Sequence, residues 1–251
     1  MNLLTHIKNN LEIIIFFALV VCFLLFVIRR NWEGFYNEQN GINRLDAIIY
    51  INLNMDNDDE DENDSDNTYL LMEELEKLNV NMNKIHKASK STGIFIPKNG
   101  RNGNLQSHIL ALKMIKNNKW KRVLVLEDDA KIDMQPDEFN DLLNKTLYSL
   151  DEKYSNWDVI MLSTENKLMD NKIEPISIDT LQTEMKIQKI KNAKSSSAYI
   201  IKDTYVDNIL NLFDLPNLLN NDDYSTLEEK WSELQIKDNW FSIDKDPITK
   251  R

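Results

Sequence analysis

At 251 residues, 42% of them apolar, the chain is globular and long enough to bury one good core, which implies one domain, with or without an appendage. Most of its formal charge of −11 sits in one run, DNDDEDENDSD at 56–66, whose eight acids meet no base; without them the charge falls to −3, and no basic stripe remains to take nucleic acid as a partner. Cys22 is the single cysteine, which excludes an intrachain disulfide and a cysteine-based zinc site.

Residues 13–28, IIIFFALVVCFLLFVI, carry no polar side chain, and with their flanks they approach the ~20 residues that a bilayer-spanning helix needs. No small-residue cleavage site precedes Arg29 and Arg30, which points to an uncleaved anchor rather than a signal peptide. The expectation is therefore an anchor over residues 1–30, in contact with the lipid bilayer through 11–28. It makes a single-pass membrane protein of an endomembrane, or of a viral or host membrane. Lys8 on one side and the two arginines on the other leave the topology undetermined. A lumenal domain would make the sequons at Asn63 and Asn144 glycan acceptors.

A stem over 31–45 leads to DAIIYINLN at 46–54, the first convincing strand and the expected start of a domain running to 251. The acidic stretch 55–67 has the composition of a solvated, disordered loop and lacks the glycine and spacing of a calcium loop. Helical spacing follows at 68–78 and again at 107–118, before RVLVLE returns to strand. A helix within 136–150, a strand at 157–163, a strand pair near 185–190 and 196–201, and a helix at 204–213 continue the rhythm. Such alternation predicts an α/β domain with a largely parallel sheet.

The run Val123–Leu126 ends on three carboxylates, Glu127, Asp128 and Asp129. In an open α/β sheet the ligand crevice lies beyond the carboxyl ends of the strands. Hard oxygen donors there suit Mn2+ or Mg2+ bridging to a substrate's phosphates. The residues alone leave this reading and that of an exposed acidic turn level.

Five stretches in order resemble glycosyltransferase family 25, which holds lipooligosaccharide glycosyltransferases and collagen hydroxylysine galactosyltransferases. They are IIYINLN, GRNGNLQSH at 100–108, VLVLEDD, WDVIMLS and SSSAYIIKDTYVDNIL, and the likeness spans about 46–245. The resemblance implies a GT-A-like, Rossmann-type nucleotide-sugar-binding domain, a UDP-sugar donor, a saccharide or hydroxylysine acceptor, and inverting transfer of galactose or glucose. By that analogy Glu127 and Asp129 face Mn2+ or Mg2+ and the diphosphate, and Asp128 helps to fix the ribose or the loop.

Inversion requires a base for the acceptor hydroxyl. TLEEKWSELQIKDNWF at 226–241 resembles a family helix with an acid three positions before a tryptophan, which makes Glu228, three before Trp231, the candidate base; a solvated helix face is the alternative. Gly100 and Gly103 would let backbone approach the nucleotide or simply make turns. Ser107 would cap the helix that follows, with His108 either facing the donor phosphates or packing. Lys98 and Arg101 are the cations nearest that loop. Where the family carries arginines after its first strand, this chain has its acidic run, and it ends on DPITKR without the family's terminal motif. Two readings follow: an active glycosyltransferase, or a catalytically degenerate relative acting as a binding or scaffold module.

Overall fold

The structure, a computed structural model, describes residues 20, 21, 23, 41–52, 62–88, 101–212 and 227–251, with backbone alone at 62–66, 101–104, 165–166 and 227–230. Two units separate, 1–40 and 41–251. In the first, Val20, Val21 and Phe23 are helical and exposed. The rest of the apolar run 11–28 lies outside the described residues. Among the described residues no helix is long and apolar enough to cross a membrane. This overturns the expected transmembrane helix and single-pass localisation: a span needs ~20 continuous apolar helical residues, which no described helix supplies.

The second unit begins at Gly41, ahead of the expected boundary at 46. A short 3-10 helix, Gly41–Arg44, buries Ile42 against the core, and Ile42 N donates to Asn140 Oδ1 at 3.0 Å. Gly41 takes φ +55°, and a Cβ there would collide with the Asn140 side chain, so the position requires glycine.

The strands are β1 (Ala47–Ile51), β2 (Ile85–Ala88), β3 (Arg122–Glu127), β4 (Ala130–Ile132), β5 (Val159–Met161), β6 (Glu165–Met169), β7 (Ile176–Asp179), β8 (Glu184–Lys194), β9 (Ala198–Lys202), β10 (Trp240–Ile243) and β11 (Ile248–Lys250). The helices are α1 (Glu62–Lys77), α2 (Arg101–Asn118), α3 (Pro136–Lys153), α4 (Asp203–Leu212) and α5 (Leu227–Lys237). Proline at the first turn of α3, followed by Asp137 and Glu138, suits a helix N-terminus, where a missing N–H costs nothing and negative charge complements the dipole.

The main sheet runs β2-β1-β3-β9-β5-β10-β8-β6, with β7 beside β8. β2, β1 and β3 are parallel, as are β5 and β10, but β9 enters antiparallel between β3 and β5, and β6 to β8 are antiparallel too. The sheet is therefore mixed rather than largely parallel. β8 and β9, though joined by a short turn, do not pair: β5 and β10 lie between them.

Strand alternation divides the core. Ile48, Leu124, Leu126, Ile160 and Ile200 pack beneath residues of α1 and α3, whereas Ile49, Ile51, Val123, Val125, Val159, Met161 and Ile201 pack beneath α2, α4 and α5. The result is three layers, helices on both faces of one sheet.

Three local expectations shift. α1 begins at Glu62, so the second half of the acidic run is helical rather than loop. Carboxylates in a first turn complement the helix dipole, which makes an acidic run a good helix start. α2 begins at Arg101, which places Gly103 and Ser107 inside a helix and removes the turn and cap roles expected of them. Both sequons also lie within helices, and Asn144 Oδ1 accepts from Arg44.

Candidate active site at the carboxyl end of strand β3

Because Val123 and Val125 face α2, alternation sends Glu127 to the same side, beneath His108 of α2. Glu127 is completely buried. Ser196 Oγ donates to its Oε1 at 2.6 Å and Ser197 Oγ to its Oε2 at 3.2 Å. His108 Nε2 lies 3.4 Å from Oε1, and Lys250 Nζ lies 3.0 Å from Oε2. Burial alone would raise the Glu127 carboxyl, but the His108 ring, the Lys250 ammonium and the Ser196 hydroxyl outweigh it and hold the group well below the usual carboxylate range.

His108 packs as well as bonds. An ionised carboxylate only accepts, so Nε2 carries a proton, and in the neutral ring Nδ1 accepts from Tyr199 O–H at 3.0 Å. Burial, then the charge of Glu127, pushes the Tyr199 phenol up and keeps it a donor. Trp231 stands edge-on to both rings, 5.0 Å from Tyr199 and 6.0 Å from His108 between centroids. Its buried Nε1 has no hydrogen-bond partner. Gln235, one turn further along α5, clasps β8 as another strand would: its Oε1 accepts from Ala193 N at 2.6 Å and its Nε2 donates to Ala193 O at 3.1 Å.

The serine turn joining β8 to β9 aims two hydroxyls at Glu127. Ser195 holds it in shape at φ +116°, a region that favours glycine, with its Oγ accepting from Ser197 N at 3.2 Å. Ser195, Ser196 and Ser197 are all buried.

Asp128 and Asp129 follow a different course. Asp128 is also buried; its N–H donates to Ile51 O at 2.9 Å, and its charge helps burial to raise the nearby Tyr50 phenol. Asp129 is only half-buried, yet its Oδ1 is sealed from solvent and has no hydrogen-bond partner. Burial first, then repulsion from Glu127, raises its carboxyl, against the pull of Lys250 and Arg251.

Lys250 ends β11 and Arg251 follows it; β11 pairs antiparallel with β4 so that Lys250 stands opposite Ala130. Arg251 N donates to Asp129 O at 2.8 Å. Its guanidinium reaches Ala130 O at 2.6 Å, Asp128 O at 3.3 Å and Glu74 Oε1 at 2.7 Å. The acidic turn is thus bracketed by strand β11 and helix α1.

Of the residues singled out from sequence, Glu127, His108, Asp128 and Asp129 converge at this strand end. Ser107 is buried in α2 beside His108. Gly103 lies in the first turn of that helix, and Gly100 and Lys98 lie outside the described residues. Glu228 is in the first turn of α5, one turn before Trp231, with its side chain outside the description. Ser196, Ser197, Tyr199, Lys250 and Arg251 were missed. The serine triplet was visible as part of a motif, but nothing local marked its hydroxyls as partners of Glu127, and the terminal lysine and arginine carry no motif.

Among the described residues no group of three or more His, Cys, Asp or Glu is arranged to hold a metal ion. No family model matches the chain, and no curated protein matches it. Among solved structures it is similar to a glycosyltransferase involved in the glycosylation of the major capsid of PBCV-1, at 9% identity and a TM-score of 0.44, covering 80% of this chain and 82% of that one. It is also similar to a protein from STIV, at 10% identity and a TM-score of 0.36, again over 80% of this chain and 82% of that one. Likeness at these scores assigns no residue a role.

Proposed function

We propose that the chain transfers a hexose, galactose or glucose, from a UDP-sugar to a saccharide or hydroxylysine hydroxyl, as a divalent-ion-dependent, inverting glycosyltransferase related to family 25. The observation that supports this most is the buried, unpartnered Oδ1 of Asp129 at the carboxyl end of a central strand. It lies in VLVLEDD, the segment that resembles the family's acidic motif.

The donor set fits Mn2+ or Mg2+ through Asp129 rather than Glu127. A hard carboxylate oxygen without a partner could take such an ion. Both Glu127 oxygens already accept from protein groups. A bound ion would supply Lewis-acid stabilisation of the departing diphosphate.

The chain's own residues divide the remaining work. Glu127, held by Ser196, Ser197 and His108, fixes where the acidic turn leaves the strand, so it positions Asp129. Asp128 is held by the backbone of β1, at the place where a ribose would approach. Glu228, at the start of the helix that carries Trp231, remains the candidate base for the acceptor hydroxyl.

The second reading, a degenerate relative that binds without transferring, is favoured by the absence of a three-residue metal group among the described residues. The deciding experiment incubates the full chain with a panel of UDP-sugars in Mn2+ or EDTA, beside Asp129→Ala and Glu228→Gln. Sugar-selective UDP release, abolished by EDTA and by Asp129→Ala, is the expected result. UDP binding without release would establish the second reading instead, and the absence of both would end the nucleotide-sugar assignment.

A further inference from the structure

Among the described residues, the acidic turn has more carboxylates than lysines and arginines beside it. Glu127, Asp128 and Asp129 are adjacent in sequence, and the cations acting on Asp129 are Lys250 and Arg251. A nucleoside diphosphate arriving here would add further negative charge, which a cation of the chain would offset beside a divalent ion.

Arg251 is committed elsewhere. Its guanidinium spans Ala130 O, Asp128 O and Glu74, and the side chain is only 15% exposed. Lys250 differs: its side chain is 43% exposed while the carboxylate it touches is fully buried, so the ammonium lies on the boundary between the buried network and solvent.

The segment leading to Lys250 is firmly held. Asp246 accepts from Thr164 N at 3.0 Å, from Thr164 Oγ at 2.8 Å and from Lys167 Nζ at 2.8 Å, and Lys167 also donates to Ile243 O at 2.7 Å. Asp133 N then donates to Pro247 O at 3.1 Å, and β11 closes on β4. The backbone at Lys250 is held by the pairing of β11 with β4, and its four-carbon stem carries a compact point charge at the solvent boundary.

We propose that Lys250 is the diphosphate-binding cation of this site. In the absence of donor its ammonium rests on Glu127 Oε2, and a bound nucleoside diphosphate shares it. Glu127 tolerates the exchange because Ser196, Ser197 and His108 continue to satisfy its oxygens. Arg251 holds the turn in place so that only Lys250 moves. This inference rests on the nucleotide-sugar reading.

The test is calorimetric titration of the full chain with UDP and with uridine in Mg2+, repeated on K250M and K250R, with a thermal melt of each. Loss of one charge-assisted contact should weaken UDP binding by roughly ten- to hundredfold in K250M. Uridine affinity should be unchanged, and K250R should restore most of the difference. A merely structural counter-ion would lower uridine and UDP affinity together, and that result overturns the proposal, as does unchanged UDP binding in K250M. Should K250M melt below the assay temperature, the same UDP-to-uridine ratio is read on K250Q, which removes the charge and keeps a hydrogen-bond donor for Glu127. If the unaltered chain binds no UDP, the nucleotide-sugar reading fails and this proposal fails with it.

Discussion

Leu124 and Leu126 of β3 face helices α1 and α3 across a layer that also holds Phe139, Leu142, Leu143 and Leu147. Val123, Val125 and Glu127 of the same strand face α2 and α5, where His108, Tyr199 and Trp231 meet a carboxylate. One strand therefore builds two cores of different kinds. Dispersion and burial hold the first, which tolerates any shape-matched apolar group. The second is held by a chain of polar contacts from Lys250 through Glu127 and His108 to Tyr199, in which each member satisfies the next. Such a network fails when one member is removed, because the others stay buried without partners.

The sharpest way to break the comparison is Glu127→Ala. It leaves His108, Ser196 and Ser197 facing a void, and it should cost about 3–5 kcal/mol, the usual penalty for breaking a buried charged pair; urea unfolding measures it. Leu142→Ala on the other face should cost about 2–5 kcal/mol by cavity formation. The two variants should differ in ligand binding: Leu142→Ala leaves UDP affinity in the folded fraction unchanged, whereas Glu127→Ala loses it. Equal effects on affinity would erase the distinction between the faces.

Gln235→Ala removes the clasp on Ala193 and orphans a buried N–H and C=O, for about 1–3 kcal/mol. Hydrogen exchange should show its effect concentrated at β8.

The smallest effect carries the opposite sign. Asp129 titrates higher in the folded chain than its ordinary value, so it contributes stability below that value and loses it as pH rises through the folded one. Asp129→Asn should therefore raise the melting temperature slightly at neutral pH while abolishing transfer. Glu127 runs the other way: its lowered carboxyl stabilises the fold above the ordinary carboxylate pKa, and that contribution is lost as pH falls toward the depressed value. Acid unfolding of the unaltered chain against Glu127→Gln should show the difference only on the acid side.

The β3 run was legible in sequence because five consecutive buried positions leave little but strand, and its closing carboxylates marked the site. Strand direction was not legible: β9 has the same apolar run whether it lies parallel or antiparallel to β3. Helix α2 was placed too late because Gly103 reads as a breaker, although one glycine costs a helix only about 1 kcal/mol. Within the site, the position of Glu127 at the strand end was legible and its protein neighbours were not. Its partners Ser196 and Ser197 are 69 and 70 residues away, and local pattern carries no information across such distances. The apolar run at 13–28 shows the reverse failure, composition suggesting a span that no described helix supports.

The distance between the acidic turn and its cations also has a meaning in time. Asp128 and Arg251 are 123 positions apart. At a synthesis rate of ~5–20 residues per second, the carboxylates precede their cations by roughly 6–25 s. Through that interval strand β10 is also unmade, so on the nascent chain the strand end is an acidic tip without Lys250 and Arg251. The polar network around Glu127 closes only when strand β11 pairs with β4.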